Sequence, residues 1–515
     1  MKGRFHSRKR SERNEQNNSK HALQDQLTIA YCMDSNLDVI KQEIGHNSDV
    51  IFRSFHLGSP LWKATVIYID GLTDTSVLNE QIMKPLMQTK EKSIEALHSA
   101  HSVKDMVISS ELFVGDIKIV QSLKDCTQQI LSGNTALIID GLNEIIILGT
   151  NEWEGRSVDE PPSEALVRGP REGFVEALRK NTAMLRRKIK DPNFTMIDYT
   201  VGVRSQKSLV VVYIKDIANT DLVEEVKSRI GRIQIDDIPD SGTIEQLIED
   251  NFLSPFPQIQ NTERPDRVIG AILEGRVAIL VDGSPFALIV PVTFSMLLQS
   301  PEDYYERWIA GSLIRILRFG AVLIALFLPS VYVAFISYNH GLIPTKLVIS
   351  IAANREGVPF PSIIEALIME VTIEILREAG IRLPKSIGQA IGIVGGLVIG
   401  QAAVEAGIVS PIMVIVVALT AISSFASPNY GAAIAIRVLR FVLMMFAAVF
   451  GLYGVIIGFI LITVHIVKLK SFGVNYAAPF TPYRYKDWKD NLLRMPFMML
   501  KSRPTMNKVK DKTRQ

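Results

Sequence analysis

Apolar residues are distributed very unevenly along this chain of 515 residues. Residues 1–312 have the mixed composition of a soluble protein, whereas most residues from Ile314 to Leu469 are apolar. The whole-chain averages, 47% hydrophobic and 21% charged, are close to those of soluble proteins and hide this division. Long apolar runs are typical of helices that cross a bilayer. The sequence therefore predicts a soluble region followed by an all-α, polytopic membrane domain.

The soluble region is predicted to be a cytosolic α+β or α/β region of two lobes. Residues 62–72 and 136–149 are rich in β-branched residues and contain Asp-Gly turns, which indicates a strand and a hairpin. Residues 277–292 form a similar hairpin pattern, which suggests that both lobes share a design. A helix is expected over Glu172–Lys190. The predicted domains are a flexible basic tail and lead-in (1–60), a first lobe (61–152), a linker (153–171), a second lobe (172–300), the membrane domain (301–470) and a basic cytoplasmic tail (471–515).

The membrane domain contains five apolar runs: Ile314–Tyr338, Phe360–Gly380, Ile387–Gly407, Ile408–Ala426 and Ala432–Lys468. Basic residues precede the first run and follow the last, which predicts that both termini are cytoplasmic and that the number of crossings is even. We favour four full crossings, with residues 360–380 only partly entering the membrane. In the alternative, that segment crosses fully and residues 432–468 cross twice.

Several classes of function lack support in the sequence. The net charge of +3 is too small to indicate a nucleic-acid partner, and Cys32 and Cys126 are too far apart to suggest a disulfide framework or a metal site. Nucleotide-binding and zinc-protease motifs are missing from the sequence. Asp70, Asp140 and Asp282 each precede a glycine and are interpreted as turn residues. We therefore predict no enzymatic activity, no metal and no cofactor.

The first candidate functional feature is a glycine-rich segment over residues 388–405. Four glycines recur at intervals of four residues: Gly388, Gly392, Gly396 and Gly400. Such a ridge lets neighbouring helices approach closely in lipid. The opposite face carries four residues suited to a pore with a polar mouth: Val394, Val398, Gln401 and Glu405. Rings of valine around a lumen would form a gate that closes by dewetting. The alternative is that these valines pack against other helices.

The second candidate feature is a set of charged residues inside the run 360–380: Glu365, Glu370, Glu374 and Arg377. The last three share one face of a helix by their spacing. Charges at membrane depth normally face a cavity or pair with one another, so this set could couple a gate to its neighbours. Alternatively, the helix lies at the membrane surface with its charges in water. Arg437 and Arg440 are interpreted as residues that extend to the membrane interface.

Seven stretches of the sequence resemble the A-subunit family of bacterial spore germination receptors, the GerA type. They are EPPSEALVRGPREGFVEAL from Glu160, RPDR from Arg264, EGRVAILVDGSPFALIVP from Glu274, QSPEDYYERW from Gln299, EALIMEVTIEILREAGIRLPK from Glu365, IGIVGGLVIGQAAVEAGIVSP from Ile391 and DWKDNLLRMPFMMLKSRP from Asp487. Their number and common order make a chance match implausible, and the resemblance covers nearly all of residues 60–505.

The resemblance implies a subunit of a nutrient germinant receptor in the spore inner membrane. Its expected partners are a transporter-like B subunit that binds the nutrient, a C-subunit lipoprotein, the lipid bilayer and further copies of this chain. The homo-oligomer would pass monovalent cations, and the glycine-rich helix would be its pore region. Three alternatives remain: a non-conducting scaffold, a transporter subunit that binds substrate, and a related A-type protein that works with the dipicolinate channel.

Overall fold

The structure is a computed structural model, and it describes residues 28–57, 62–88, 100–151, 160–161, 163–384, 395–396 and 398–514. Of the range that we predicted as flexible basic tail and lead-in (1–60), residues 1–27 and 58–60 lie outside the described residues. Two α/β lobes precede a helical region, as the sequence predicts.

Lobe 1 is a five-stranded antiparallel sheet with helices on both faces. Its strands are β1 (Val50–Leu57), β2 (Trp62–Ile69), β3 (Ile117–Val120), β4 (Thr135–Ile139) and β5 (Ile145–Leu148). Its helices are α1 (Met33–Ile44), α2 (Thr75–Val77), α3 (Lys84–Gln88), α4 (Ala100–Met106) and α5 (Leu123–Leu131). A π-helical turn, Leu78–Met83, joins α2 to α3, and another, Val107–Glu111, extends α4. Lobe 1 thus includes α1 and β1, which lie in the range that we predicted as tail and lead-in.

Lobe 2 repeats this architecture. Its strands are β6 (Phe194–Val201), β7 (Lys207–Ile214), β8 (Gln260–Thr262), β9 (Val277–Val281) and β10 (Ala287–Val290). Its helices are α6 (Leu178–Lys188), α7 (Thr220–Gly231), α8 (Ser241–Ile248) and α9 (Pro265–Leu273). Helix α6 begins six residues later than predicted, because the preceding chain is extended and Phe174 N donates to Glu263 O at 2.7 Å.

The two sheets have corresponding strand orders, β1-β2-β4-β5-β3 and β6-β7-β9-β10-β8. In each lobe a helix precedes a long hairpin, further helices lead to an edge strand, and one helix then leads to a second hairpin. Alternate residues of the central strands face opposite cores, as Val66 and Ile67 do in β2. The shared design suggested by the two Asp-Gly hairpins therefore extends to the whole topology of both lobes.

The helical region begins with two short helices and continues with longer, more apolar ones. Its helices are α10 (Phe294–Leu297), α11 (Glu302–Tyr305), α12 (Trp308–Ser337), α13 (Thr345–Arg355), α14 (Ser362–Arg382), α15 (residues 398–405), α16 (Pro411–Phe425) and α17 (Tyr430–Lys468). Among the described residues, α12 and α17 are long and apolar enough to cross a membrane. Helix α13 lies outside every run that we predicted.

Helix α17 is a hairpin of two antiparallel helices. Its backbone reverses at Gly451, where φ is +60° and the helical conformation is interrupted. A Cβ added at Gly454 would collide with the carbonyl oxygen of Phe446, and one added at Gly458 would collide with Leu443. The halves pack this closely because the glycines have no side chain. Residues 432–468 are therefore not the single helix that our preferred version needs; they have the two antiparallel halves of the alternative in which this segment crosses twice.

The residues after α17 fold back onto lobe 2. They form a two-stranded ribbon, β11 (Lys470–Ser471) and β12 (Val474–Asn475), and three 3-10 turns: Tyr485–Lys489, Phe497–Met499 and Thr505–Asn507. Val509 is buried in the core between α6, α9 and the lobe 2 sheet. The basic segment that we predicted as a tail is thus part of the packed structure of lobe 2.

Candidate functional site

The apolar helices run between two ends of a bundle, which we call the lobe end and the distal end. Helix α12 begins at the lobe end, beside lobe 2, and reaches the distal end at Ser337. Helix α14 starts at the distal end, where Ser362 Oγ lies 2.8 Å from Ser337 Oγ. Helix α16 runs in the same direction as α14, because Ser424 near its end accepts a hydrogen bond from Arg377 near the end of α14.

The two ends of α17 both lie at the lobe end. Pro257 of lobe 2 contacts Gly431 at the start of the hairpin, and Ser254 Oγ lies 2.9 Å from His465 Nε2 near its finish. The reversal at Gly451 lies at the distal end, where a Cβ on that glycine would be 3.0 Å from Tyr338 Cβ. The hairpin therefore spans the full length of the bundle twice.

A buried ion network joins the base of α12 to the residues that follow α17. Arg315 is fully buried, and its guanidinium lies 3.1 Å from Asp303 and 3.0 Å from Asp490. Arg318 also pairs with Asp303, at 2.7 Å. Sequence reasoning used these arginines only as charges that flank a membrane segment. Each instead connects α12 to α11 or to the carboxy-terminal segment.

The face that we predicted to line a pore is largely open in the single chain. Val398 is 55% exposed, and Gln401 and Glu405 are also exposed. Gln401 Nε2 donates to Glu405 Oε1 at 2.9 Å, so the two polar groups form one unit at the end of the valine face. Val394 lies outside the described residues.

The predicted glycine ridge has two described members with different surroundings. Gly400 is buried, and a Cβ there would lie 3.6 Å from Val414 of α16. Gly396 is exposed, and a Cβ there would meet open space, whereas its neighbour Gly395 faces Leu376 of α14. Gly388 and Gly392 lie outside the described residues. Gly400 of α15 thus packs against α16, Gly395 just before α15 faces α14, and Val398, Gln401 and Glu405 are exposed in the single chain.

The charged residues of α14 pair with arginines of α17. Glu370 and Arg440 are both almost fully buried, and their side chains lie 2.7 Å apart. Glu374 lies 3.2 Å from Arg377 and 3.4 Å from Arg437. Arg437 and Arg440 are therefore buried partners of α14, which corrects their interpretation as residues that extend to the membrane interface. The α17 hairpin buries them because its first half packs against α14.

Glu365 makes a separate connection near the distal end. It is fully buried, accepts a hydrogen bond from Ser410 N at 2.8 Å and pairs with Arg355 at 2.8 Å. Ser410 is the residue that caps α16, and Arg355 ends α13. Burying these carboxylates is favourable only with such partners. A helix lying at the surface with its charges in water does not describe α14, because Glu365 and Glu370 are inside the bundle.

A two-lobed α/β region joined to a helical bundle with two helices long and apolar enough to cross a membrane is the architecture of a membrane-associated protein. The sequence profile described as Bacillus/Clostridium GerA spore germination protein matches residues 38–506. The chain therefore belongs to the GerA spore germination protein family, as its motifs predict.

Two relatives and one solved structure illustrate the similarity. Spore germination protein B1 of Bacillus subtilis (strain 168) is 46% identical over 94% of this chain and 99% of the relative. Spore germination protein GerLA of Bacillus cereus is 46% identical over 92% of this chain and 95% of the relative. The crystal structure of the N-terminal domain of the A subunit of the Bacillus megaterium spore germinant receptor GerK3 is 32% identical, with a TM-score of 0.41, over 52% of this chain and 97% of that domain.

Proposed function

We propose that this chain is the A subunit of a nutrient germinant receptor in the spore inner membrane. In this proposal it works with a transporter-like B subunit and a C-subunit lipoprotein, and its own copies assemble into a gated channel for monovalent cations that triggers germination. Membership of the GerA family supports the role in germination. The role is that of a conducting subunit, and no catalytic step is assigned to it.

The uncovered face of α15 is the observation that carries the channel proposal. Val398, Gln401 and Glu405 are exposed on α15, whereas Gly400 of the same helix is buried against α16 and Gly395 just before it faces α14. A polar pair beside an exposed valine is poorly suited to lipid, but it suits a narrow lumen that several copies enclose. In the proposed oligomer, Val398 and Val394 form the dry constriction, and Gln401 and Glu405 form its polar mouth.

The order of the helices supports six passages through the membrane. These are α12, α14, the segment that contains α15, α16 and the two halves of α17. An even number returns the chain to the side from which it started, so both lobes and the carboxy-terminal segment occupy one side. We assign this side to the spore core, because the flanking basic residues favour a cytoplasmic location.

The ion pairs of α14 are the proposed route by which neighbouring helices act on the gate. Leu376 of α14 faces Gly395, just before α15. The same helix contacts α17 through Glu370 and Glu374, and α16 through Glu365. Oε1 of Glu370 and Nη1 of Arg440 are buried without a hydrogen-bond partner among the described residues. A second arrangement that satisfies them would differ in energy from the first, so nutrient binding by a neighbour could shift the balance between the two.

The test is cation flux through the purified oligomer in liposomes. We expect Val398→Ser to raise the resting flux, because a hydroxyl group favours wetting of the constriction. A barrier lower by about 1.4 kcal/mol corresponds to roughly a tenfold increase. The readout is potassium efflux before any nutrient is added, with conductance in planar bilayers as the second measurement.

Val449→Ser is the matched control, because Val449 is 60% exposed on α17 and is the same residue type. It should leave the flux unchanged. A protein that forms no oligomer, or an oligomer in which both variants match the unsubstituted chain, would contradict the channel and favour the non-conducting scaffold. Family membership does not depend on this result.

A further inference from the structure

A loop of lobe 2 holds two large apolar side chains in an exposed position. Phe252 and Leu253, between α8 and β8, are each 79% exposed. The loop is closed by the buried side chain of Gln258, which accepts a hydrogen bond from Asn251 N at 2.9 Å and donates one to Asn251 O at 2.7 Å. Leu253 N also donates to Asn251 Oδ1 at 3.1 Å. The exposure is therefore imposed by a fixed loop geometry.

The same loop contacts the lobe end of the α17 hairpin through a hydrogen bond and a ring contact. Ser254 Oγ lies 2.9 Å from His465 Nε2, and the Phe256 ring stacks on the His465 ring at 6.2 Å between centroids. His465 is three residues before the end of α17 at Lys468, so it lies about 4.5 Å inside the helix at 1.5 Å per residue. The loop that carries Phe252 and Leu253 is therefore fixed to the last turns of α17, close to its lobe end.

Exposed aromatic and basic residues lie at the ends of α12 and α17 that face lobe 2. Tyr430 and Trp308, at the starts of α17 and α12, are 60% and 44% exposed. Aromatic rings at helix ends prefer the headgroup level of a bilayer. Lys468 and Lys470 are exposed nearby, and such residues attract anionic headgroups. Two acidic residues precede the loop tip: Asp250 is paired with Arg229 at 2.7 Å, and Glu249 directly follows α8.

We propose that Phe252 and Leu253 insert into the boundary between the headgroups and the acyl chains of the bilayer that α17 crosses. Lobe 2 then contacts the membrane through its own surface as well as through the chain connections to α12 and α17. The occupant is the lipid surface, because the loop is held against His465 in the last turns of α17, where Val464 and Val467 are exposed apolar residues. The inference rests on the membrane placement of α17 proposed above.

The experiment uses the full chain with Cys32→Ser, in nanodiscs of phosphatidylcholine and phosphatidylglycerol. The remaining native cysteine, Cys126, is fully buried in lobe 1. Leu253→Cys is labelled with an environment-sensitive dye, and its quenching by lipids that carry a nitroxide near the headgroup is measured. Phe252→Cys provides an independent second position. Both native side chains are highly exposed, so neither substitution removes core packing.

Two labelled controls separate this inference from the membrane placement on which it rests. Leu461→Cys, at a 54% exposed position of α17, reports whether that helix lies in lipid. Val203→Cys, at a 64% exposed position, lies in the β6–β7 turn at the end of the lobe 2 sheet that faces away from the bundle. We expect about threefold stronger quenching at Leu253 than at Val203 if the tip lies at the interface.

Three results would overturn the inference. Quenching at Leu461 but only background quenching at Leu253 would show that the loop stays in water. A label at Leu253 that is shielded from aqueous iodide yet unaffected by the lipid nitroxide would mean that another protein chain covers the tip. Background quenching at Leu461 would overturn the membrane placement of α17 and the loop contact together.

Discussion

Lobes 1 and 2 have the same order of elements and differ in what they are attached to. Lobe 1 contacts lobe 2 through the segment between α1 and β1, where Asn47 Oδ1 accepts a hydrogen bond from Met196 N at 3.0 Å. Lobe 2 is bound directly to the helical region: Ser471, after α17, accepts a hydrogen bond from Val292 N and donates one to Gln258 O. One fold thus serves in two positions, and the contacts made by its surfaces and loops set the role of each copy.

The difference also appears in how each lobe completes its core. Lobe 2 takes Val509 from the far end of the sequence into its core, at a place where a Cβ on Gly275 would collide with the valine. Among the described residues, both cores of lobe 1 are formed by residues of lobe 1 itself, together with Ala183 of α6. Lobe 2 is therefore the copy whose stability depends on the rest of the chain.

The largest expected effect comes from breaking the link between the lobes. Arg186 of α6 is fully buried and pairs with Asp49 through two hydrogen bonds of 2.9 Å. Arg186→Ala leaves Asp49 largely buried without its partner, which should cost about 3 kcal/mol of the free energy of unfolding. The measurement is chemical unfolding of the full chain in detergent, followed by intrinsic fluorescence.

The neighbouring Arg187→Ala is its matched control. Arg187 pairs with Glu172 at a partly exposed site, so its loss should cost at most about 0.5 kcal/mol. Adding Asp49→Asn to Arg186→Ala should recover part of the lost stability, because the unpaired charge is removed. Equal costs for Arg186→Ala and Arg187→Ala would mean that the buried pair does not hold the lobes together.

A smaller effect is expected from shortening the side chain of Val509, which the carboxy-terminal segment contributes to the core of lobe 2. Val509→Ala removes two buried methyl groups and should destabilise lobe 2 by about 1.5 kcal/mol. Hydrogen exchange should become faster in β6, β7 and β9 and stay unchanged in β1, β2 and β4. Lys512→Ala, at an exposed position of the same segment, should change neither lobe. Faster exchange in both lobes would show that they unfold as one unit.

The smallest expected effect is a dependence of the stability of lobe 2 on pH. Burial raises the pKa of Glu245 in α8 to about 7, and the Glu249 carboxylate adds to the rise. The folded state therefore holds this proton more tightly than the unfolded state, so stability is lost as the pH rises from about 4.5 to 7. The side chain of the Glu245→Gln variant cannot ionise. In thermal unfolding, this variant should show a free energy of unfolding about 1 kcal/mol higher than that of the unsubstituted chain at pH 8, with little change at pH 4.

The exposed Glu80 of lobe 1 provides the control for this comparison. Glu80→Gln should alter stability by at most about 0.5 kcal/mol at both pH values. If Glu245→Gln raised the free energy of unfolding equally at pH 4 and pH 8, ionisation of Glu245 would be excluded as the cause. A gain confined to pH 8 would assign this pH dependence to lobe 2.

The sequence was sufficient to predict elements whose signals are local. The hairpin of β9 and β10 follows from two β-branched runs around Asp282-Gly283, and the matching hairpin of lobe 1 led to the correct inference of a shared design. The strand predicted within residues 62–72 is also present, as β2, because its β-branched residues end at an Asp-Gly turn.

The features that sequence reasoning missed depend on contacts between distant residues. The reversal of α17 at Gly451 has no polar turn residue around it, because in this bundle the turn is covered by Tyr338 and Asn339 of another segment. Two signals could have revealed it: a length of 39 residues, well above the roughly 20 that a crossing needs, and the close spacing of Gly451, Gly454 and Gly458. The partners of Arg437 and Arg440 became visible only with the hairpin.

The packing of Val509 has a consequence for the order in which the protein forms. Asn507 donates a hydrogen bond to Glu274 O across 233 positions of sequence, and the whole helical bundle is encoded between them. A ribosome therefore releases the β-strands of lobe 2 long before the residues that complete their core. During translation, lobe 1 has all of its own strands early, whereas the core of lobe 2 stays incomplete until the helical bundle and the carboxy-terminal segment have been translated.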